Sequence, residues 1–405
     1  MTRAGIVAQR GGNWSPLSTT DRRTGRKCEQ VTIYSALKGL GETSEQLESE
    51  NLDLTNILEQ LHYLYDNPMN LNPAELEQLQ EMGLLTDVQM SDLLLHRKRY
   101  GKFISIYEIQ SLQYWDMTTI RLVLPFVRVD DKLDQLHIGL KAALKHGKFE
   151  AYIRYQTILE PKEGYTPVSD SLLESSNSYY HGNVGRYYTR LRFSYRTNMS
   201  IGITAEKDPG EEFFKGNQKN GFDFYSAHAF YKGGKYLRSV ALGDYQIQIG
   251  QGLNFWSGYA FGKSADVTNV KKSANTIRPY TSVDETRYLR GVGVEVGVKN
   301  FSLTTFGSYK GVDGSVISDS LLEDQEFISS INLTGLHRTN SEIERKHTLN
   351  EIIFGSNLRY NTRSLQIGLA AVYQGYDRSF EKDTLPYNKF DFRGNSLIGM
   401  SADYN

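Results

Sequence analysis

Residues 186–208 read RYYTRLRFSYRTNMSIGITAEKD, and this stretch decides the fold. Tyr187, Thr189, Leu191, Phe193 and Tyr195 alternate with Tyr188, Arg190, Arg192, Ser194 and Arg196. An extended chain points successive side chains to opposite sides, so the segment predicts a strand with one apolar and one charged face. Residues 197–199 then lead into a second strand-like run at 200–208, and so short a link requires antiparallel pairing. A water-soluble sheet packs its inward face dry, which makes a buried row of arginines prohibitive. A sheet whose apolar face meets lipid and whose polar face lines a wet interior has no such difficulty.

Ten runs of this kind follow one another at 147–159, 186–196, 200–208, 221–231, 236–250, 287–298, 301–310, 348–360, 363–374 and 394–405. Their connections alternate strictly. Short links fall at 197–199, 232–235, 299–300 and 360–363, and long ones at 160–185, 209–220, 251–286, 311–347 and 375–393. Tight turns on one side and long loops on the other are the rhythm of an outer-membrane barrel, with the turns periplasmic. Because the first run leads into a long loop, the segment preceding it is expected in the periplasm. The lumen-lining candidates are Glu150, Arg154, Arg190, Arg192, Arg196, Glu206, Arg238, Asp244, Glu295 and Arg359. Their mixed signs predict a salt-bridged wall rather than a one-signed, ion-selective row.

Composition agrees with strands in lipid. Mean hydropathy is only −0.48, yet the chain carries 27 Tyr and 18 Phe among its 405 residues, as expected when only alternate residues face lipid and aromatic side chains gather at the interfaces. No stretch approaches the about 20 apolar residues that a spanning helix needs. The net charge of −1 gives no global attraction to nucleic acid or to an anionic surface. Cys28 is the sole cysteine and permits no intrachain disulfide. Residues 1–27 contain no apolar secretory core, and the run ending at Asn405 lacks a terminal aromatic residue. The expectation is a misplaced start and a barrel cut off at its C-terminal end.

Upstream lies a helical region. Residues 45–66 are acidic and carry Leu54, Ile57, Leu58, Leu61 and Leu64 at helical spacing. Helix starts are predicted at Asn72 with Pro73 and Glu75, at Thr86 with Gln89, and at Ser105 with Glu108, each pair able to cap reciprocally. Gly101 after Arg97, Lys98, Arg99 and Tyr100 reads as a helix stop, and Asp116 as the cap of a last short helix ending near Pro125. From Met69 to Val127, through Asn70, Leu71, Asn72, Ala74, Leu76, Leu79, Gly83, the run His96 to Ser105, Glu108 and Leu112, the chain resembles the double helix-hairpin-helix domain of competence-type, ComEA-like DNA-uptake receptors.

That resemblance implies DNA binding, with Gly83, Arg97, Lys98, Arg99 and Lys102 as the candidate contacts. Two physical features oppose it. A phosphate-binding hairpin uses glycines that expose backbone N–H groups at a helix start, but the two turns read Met82 to Asp87 and Gln113 to Thr118, with Gly83 as their one glycine and Asp87 and Asp116 where phosphate would sit. Residues 51–130 also hold six Lys/Arg against eleven Asp/Glu, a net charge of −5, which disfavours phosphate contacts. A module that docks a periplasmic protein is the preferred reading.

Ala205 to Glu211, and Gly243 to Gln246 with Gly250 to Gly258, resemble a family of large Bacteroidota-type proteins that pair a helix-hairpin-helix region with an outer-membrane barrel. The resemblance runs from about Leu54 onward and implies location without an activity.

Other chemistry finds little footing. Gly291 to Gly297 is a glycine-alternating strand rather than a dinucleotide fingerprint, and Ser257 to Ser264 only approximates a phosphate loop, so no nucleotide cofactor is expected. The eight His form no i, i+4 pair, which predicts no metal centre. Asp313, Asp319 and Asp324 read as a solvated acidic loop rather than a Ca²⁺ site. Ser226, His228 and Asp208 fall on neighbouring strands, but lumenal polar packing explains them better than catalysis does.

The expected protein is therefore α+β and multidomain: residues 1–44 without structure, a helix-hairpin-helix domain at 45–130, and an antiparallel transmembrane β-barrel of about ten strands at 131–405. Its expected role is noncatalytic, in transport or envelope assembly at the outer membrane. The partners are outer-membrane lipid and a periplasmic protein, with no catalytic residue, cofactor or metal. DNA uptake and a lipid-modifying barrel enzyme are the alternatives.

Overall fold

The computed structural model describes most of residues 64–129 and 143–404, together with two short strands, Gly5–Ala8 and Trp14–Leu17, which pair antiparallel within the segment expected to lack structure. Residues 18–63, 130–142, 258–275 and 319–325, and Gly83 and Arg196 among the expected site residues, lie outside the described set. The fold is β-rich, and the chain divides into two compact units, Met1–Leu133 and Asp134–Asn405.

In the first unit, α1 (Asp87–Tyr100) opens with the expected reciprocal cap: the Thr86 hydroxyl accepts from Gln89 N–H at 3.3 Å and the Gln89 side chain from Thr86 N–H at 3.0 Å. A 3₁₀ turn, Ile106–Ser111, starts with the same device at Ser105 and Glu108, where an α-helix had been expected. The Asp116 carboxylate caps α2 (Met117–Val123) by accepting from Thr119 N–H at 2.8 Å. These elements enclose Leu71, Leu79, Leu93, Phe103, Ile109, Trp115, Val123 and Phe126 in one apolar core. The ends of the segment are tied by a parallel bridge, Met69 to Val127 and Asn70 to Arg128.

The second unit is dominated by one sheet. Its main strands are β1 (Lys148–Gln156), β2 (Arg186–Tyr195), β3 (Met199–Lys207), β4 (Phe224–Lys232), β5 (Leu237–Ile247), β6 (Leu289–Val298), β7 (Phe301–Val312), β8 (Leu349–Asn361), β9 (Gln366–Phe380) and β10 (Gly394–Tyr404). Each pairs antiparallel with the next, an up-and-down meander that reproduces the ten expected runs and their alternating connections. The long connections are more structured than expected. Ile277–Pro279 pairs with β5, Gly314–Ser318 forms a hairpin with Glu326–Ile331, and short helices α3 (Asp170–Ser175) and α4 (Asn340–Glu344) occupy two of the loops. Among the described residues β1 and β10 each have a neighbour on one side only, so the ten-strand meander has two edges.

The two faces of the sheet differ in character, and the enclosed one holds polar side chains beside an apolar cluster. Leu191, Ile201, Ile203, Leu242, Val292, Leu303, Phe354, Leu358 and Leu369 point to the exposed face. Ser194, Ser200, Thr204, Glu206, Ser226, Ser302, Thr304, Asn357 and Arg359 are buried on the other. Register explains the sorting, because Thr204 is opposite Ser226, Thr304 opposite Asn357 and Ser302 opposite Arg359, each pair sharing the enclosed side.

Candidate functional site: the enclosed face and its loop layer

The enclosed face carries paired charge. Glu206, only 3% exposed, receives Arg186 Nε at 2.7 Å, and the same nitrogen lies 3.0 Å from Asp208. On the exposed edge strand β1, Glu150 meets Lys148 at 2.9 Å; further in, Glu295 lies 3.9 Å from Arg238 while accepting from the Ser239 hydroxyl at 3.2 Å. The Arg154 guanidinium sits 4.9 Å over the Tyr188 ring. Arg190 and Arg192 share that row on β2, opposite Thr204 and Gly202, and Arg359 is buried on β8. Lys310, absent from the expected set, donates to the Thr286 and Tyr288 carbonyls at 2.6 and 2.9 Å and lies 3.9 Å from Glu351. Acidic and basic groups both line this face, with Arg154, Arg190 and Arg192 grouped at its β1–β2 end.

Asp244 departs from simple alternation. Gly243 has φ 84°, and a Cβ there would lie 2.2 Å from the Ala227 carbonyl. The resulting kink buries Asp244 and Tyr245 in succession. Asp244 is clamped by Arg290 through both carboxylate oxygens at 2.7 and 2.9 Å, and the Tyr245 hydroxyl reaches the Val292 and Gly307 carbonyls at 3.0 and 2.7 Å.

The connection leaving β5 folds across this face. Phe255 packs on Phe306 of β7 with ring centroids 5.6 Å apart, Gln248 bridges to Trp256, and the Asn254 side-chain amide donates to the Gly399 carbonyl of β10 at 2.9 Å. Gly250 lies so close to β10 that a Cβ on it would be 2.5 Å from an Asp403 carboxylate oxygen. In a flat sheet β5 and β10 would stand five strand spacings apart, roughly 24 Å. Three residues beyond Ile247 reach at most roughly 11 Å. The sheet is therefore strongly curled, and residues 248–257 occupy its concavity. Phe230, Ala241, Ile247, Ile249, Ile353, Ala370 and Val372 complete an apolar plug beneath them.

Above the strands, long-loop residues converge on His337. Its Nδ1 lies 2.6 Å from Asp223, its Nε2 2.8 Å from Asp313, and its backbone N–H donates to Glu211 at 3.0 Å. Lys346 donates to the second Asp223 oxygen at 2.6 Å, and His347 N–H to the second Asp313 oxygen at 2.9 Å. Burial alone would lower the imidazole pKa, but the two hydrogen-bonded carboxylates reverse this and raise it to about 10. Asp223 and Asp313 are held below the usual range despite burial, chiefly by the His337 hydrogen bond. Glu211, 1% exposed, is pushed up to about 7 by burial and then by Asp223 and Asp208. Glu285 is raised well above the ordinary value, by burial and then by Asp223 and Glu211.

Glu211, Asp223 and His337 come close enough together to suggest a metal site. A metal ligand needs a neutral imidazole with a free nitrogen, and here both nitrogens face carboxylates. The chemistry of the set is that of an imidazolium clasp joining two loops. Spacing in sequence gave no sign of it, because residues 211, 223, 313 and 337 meet only through the meander. The expectation of a solvated loop is corrected at Asp313, which is buried against His337 and His347. Asp319 and Asp324 lie outside the described residues.

Ser226, His228 and Asp208 are not brought together. His228 pairs through Nε2 with Ser200 at 2.9 Å and hydrogen-bonds the Tyr280 backbone, Asp208 is held by Arg186, and Ser226 Oγ has no hydrogen-bond partner among the described residues. The histidine fastens a loop to the wall.

In the helical unit Arg97 is consumed internally, donating to the Leu71 and Ala74 carbonyls at 2.7 and 2.5 Å. Lys98, Arg99 and Lys102 remain exposed. No family model matches the chain, and no curated protein or solved structure shows significant similarity to it.

Proposed function

We propose that the meander is the wall of an outer-membrane β-barrel, noncatalytic and stoppered by its own β5–β6 loop. The barrel would serve the passage of a solute or macromolecule, or envelope assembly, with the helical unit in the periplasm docking a protein partner or gating the lumen. The observation that carries this reading is the exposed face of the sheet, a continuous run of aliphatic side chains from Leu191 to Leu369, set against an enclosed face on which polar and charged groups surround one apolar cluster. Tyr225, Tyr309, Phe301 and Tyr236 near the strand ends fit an interfacial girdle. Open edges are not tolerated in lipid, so the reading requires that β1 and β10 both be paired in the membrane.

The DNA-uptake alternative is weakened by the loss of Arg97 to an internal clamp and by the capped starts of α1 and α2. Planar-bilayer recording tests the main reading. A protein that enters the bilayer and conducts once residues 248–257 are loosened supports it. A protein that stays in the aqueous phase, and withstands charges placed on Ile203 and Phe354, defeats it.

A further inference from the structure

We propose that the loop Lys98 to Tyr107 of the helical unit is a docking surface for an anionic lipid headgroup layer. In this stretch Phe103 is the only buried residue. Its backbone N–H donates to the Asn72 side chain at 2.8 Å, its carbonyl accepts from the same side chain at 3.0 Å, and its ring stacks on His96 with centroids 5.0 Å apart. The loop is thereby held rigidly from beneath. Tyr100, Ile104 and Tyr107 stand out from this anchor, Ile104 with 87% of its surface exposed, and Leu95 lies exposed one turn earlier.

Leu95, Ile104 and Tyr107 lie outside the core that holds the helical unit, while the Tyr100 ring leans on His96 with centroids 4.9 Å apart. Lys98, Arg99 and Lys102 are interleaved with them, and the stretch contains no acidic residue. The bordering Glu108 is folded back onto the Ile104 and Ser105 N–H groups at 3.0 Å each.

Protruding apolar side chains flanked by long cationic ones fit the headgroup region, where Tyr and Ile enter the acyl boundary while Lys and Arg reach phosphate. Charge complementarity makes the surface anionic, and it is local, because Lys98, Arg99 and Lys102 form a basic patch on a unit that is acidic elsewhere. Nucleic acid fits less well, because the capped helix starts offer no phosphate cradle and the aliphatic Ile104 has no base-stacking role. Nothing in this inference requires the sheet to span a membrane, so the two readings fall separately.

The test uses the full chain with Cys28→Ser and an environment-sensitive fluorophore on Ile104→Cys, an exposed position whose replacement disturbs no packing. A parallel sample carries the fluorophore on Ile203→Cys. The expected result at position 104 is a blue shift on vesicles of phosphatidylcholine with phosphatidylglycerol, absent on phosphatidylcholine alone. Charge reversal by Lys98→Glu, Arg99→Glu and Lys102→Glu should weaken the response by about tenfold or more, and added salt should do likewise. A shift at 203 without one at 104 overturns the docking surface and leaves the barrel standing. A shift at 104 without one at 203 does the reverse. Emission at 104 that responds equally to both vesicle types, or that answers duplex DNA rather than lipid, also overturns it.

Discussion

The side-chain amide of Asn254 donates to the backbone carbonyl of Gly399 at 2.9 Å, joining the loop after β5 to the last strand of the meander. A Cβ on Gly399 would lie 2.0 Å from the Asn254 side-chain oxygen, so the glycine is the space that this contact needs. Asn254→Ala removes the hydrogen bond, at a cost of about 1 kcal/mol, and Phe255→Ala removes the ring seated on Phe306. The double variant should raise the frequency of open events in planar bilayers while leaving the strand content seen by circular dichroism unchanged. Unaltered gating in a folded protein would show that residues 248–257 are no stopper.

His337 is the single imidazole between Asp223 and Asp313. Replacing it with alanine leaves two buried carboxylates facing each other across a void. Breaking a buried ion pair by removing one partner costs roughly 3–5 kcal/mol. The loss should fall on the loops, appearing as faster proteolytic cleavage within residues 209–223 and 332–348, before the strands melt. Equal cleavage of the variant and the parent would mean that the clasp contributes little.

The same layer has a direction with pH. Glu211 is raised in the folded state to about 7, so its contribution is fully present below the ordinary 4.5 and is lost as pH rises through 7. His337, raised to about 10, contributes fully below 6.5 and loses that contribution as pH rises through 10. Asp223 and Asp313, held down, contribute above 3.8 and fail only in stronger acid. The loop layer is therefore firmest between pH 3.8 and 4.5 and loosens toward alkaline pH. Hydrogen exchange of the Glu211 and His337 amides should quicken more between pH 5 and 9, after correction for intrinsic rates, than that of strand amides. Glu211→Gln should flatten the part of the trend below about 7.

Arg97 differs in kind from its neighbours. Its two hydrogen bonds to the Leu71 and Ala74 carbonyls predict that Arg97→Ala destabilises the helical unit by about 1.5–3 kcal/mol. Lys98→Ala and Arg99→Ala, both exposed, should stay within about 0.5 kcal/mol of the parent. Thermal unfolding followed by Trp115 fluorescence measures the difference, since the indole is buried in that core.

Local spacing in the sequence carries one part of this structure and long-range meeting of loops carries the other. The ten strands were legible because the Tyr187 to Tyr195 alternation and the short links at 197–199 and 299–300 are local, and local spacing determines strand pairing. Thr86, Ser105 and Asp116 were legible as caps for the same reason. In sequence Arg97 is one cluster with Lys98 and Arg99, because charges cluster along the chain whether or not a guanidinium turns inward. The His337 clasp and the Asn254 contact were invisible, since each depends on loops that meet only after the sheet has curled. The hairpin Gly314–Ser318 with Glu326–Ile331 was missed because its strands are short and sit inside one long connection.

The strongest discrimination between lipid and water comes from the exposed face itself. Ile203 lies midway along β3 and Phe354 midway along β8, each with about half of its surface open. In water, arginine at such a position extends into solvent, and its effect on stability should stay within about 0.5 kcal/mol. In a bilayer the same guanidinium stands in hydrocarbon, and each substitution should cost roughly 2–4 kcal/mol. Ile203→Arg and Phe354→Arg, measured by urea titration in phospholipid vesicles, are therefore expected to destabilise strongly. Val298→Arg, at the short-turn end of β6, should cost far less because its charge reaches the interface. A depth profile of that shape is one that only a lipid-facing strand produces, and three equally neutral variants would make the apolar face a surface for protein rather than lipid.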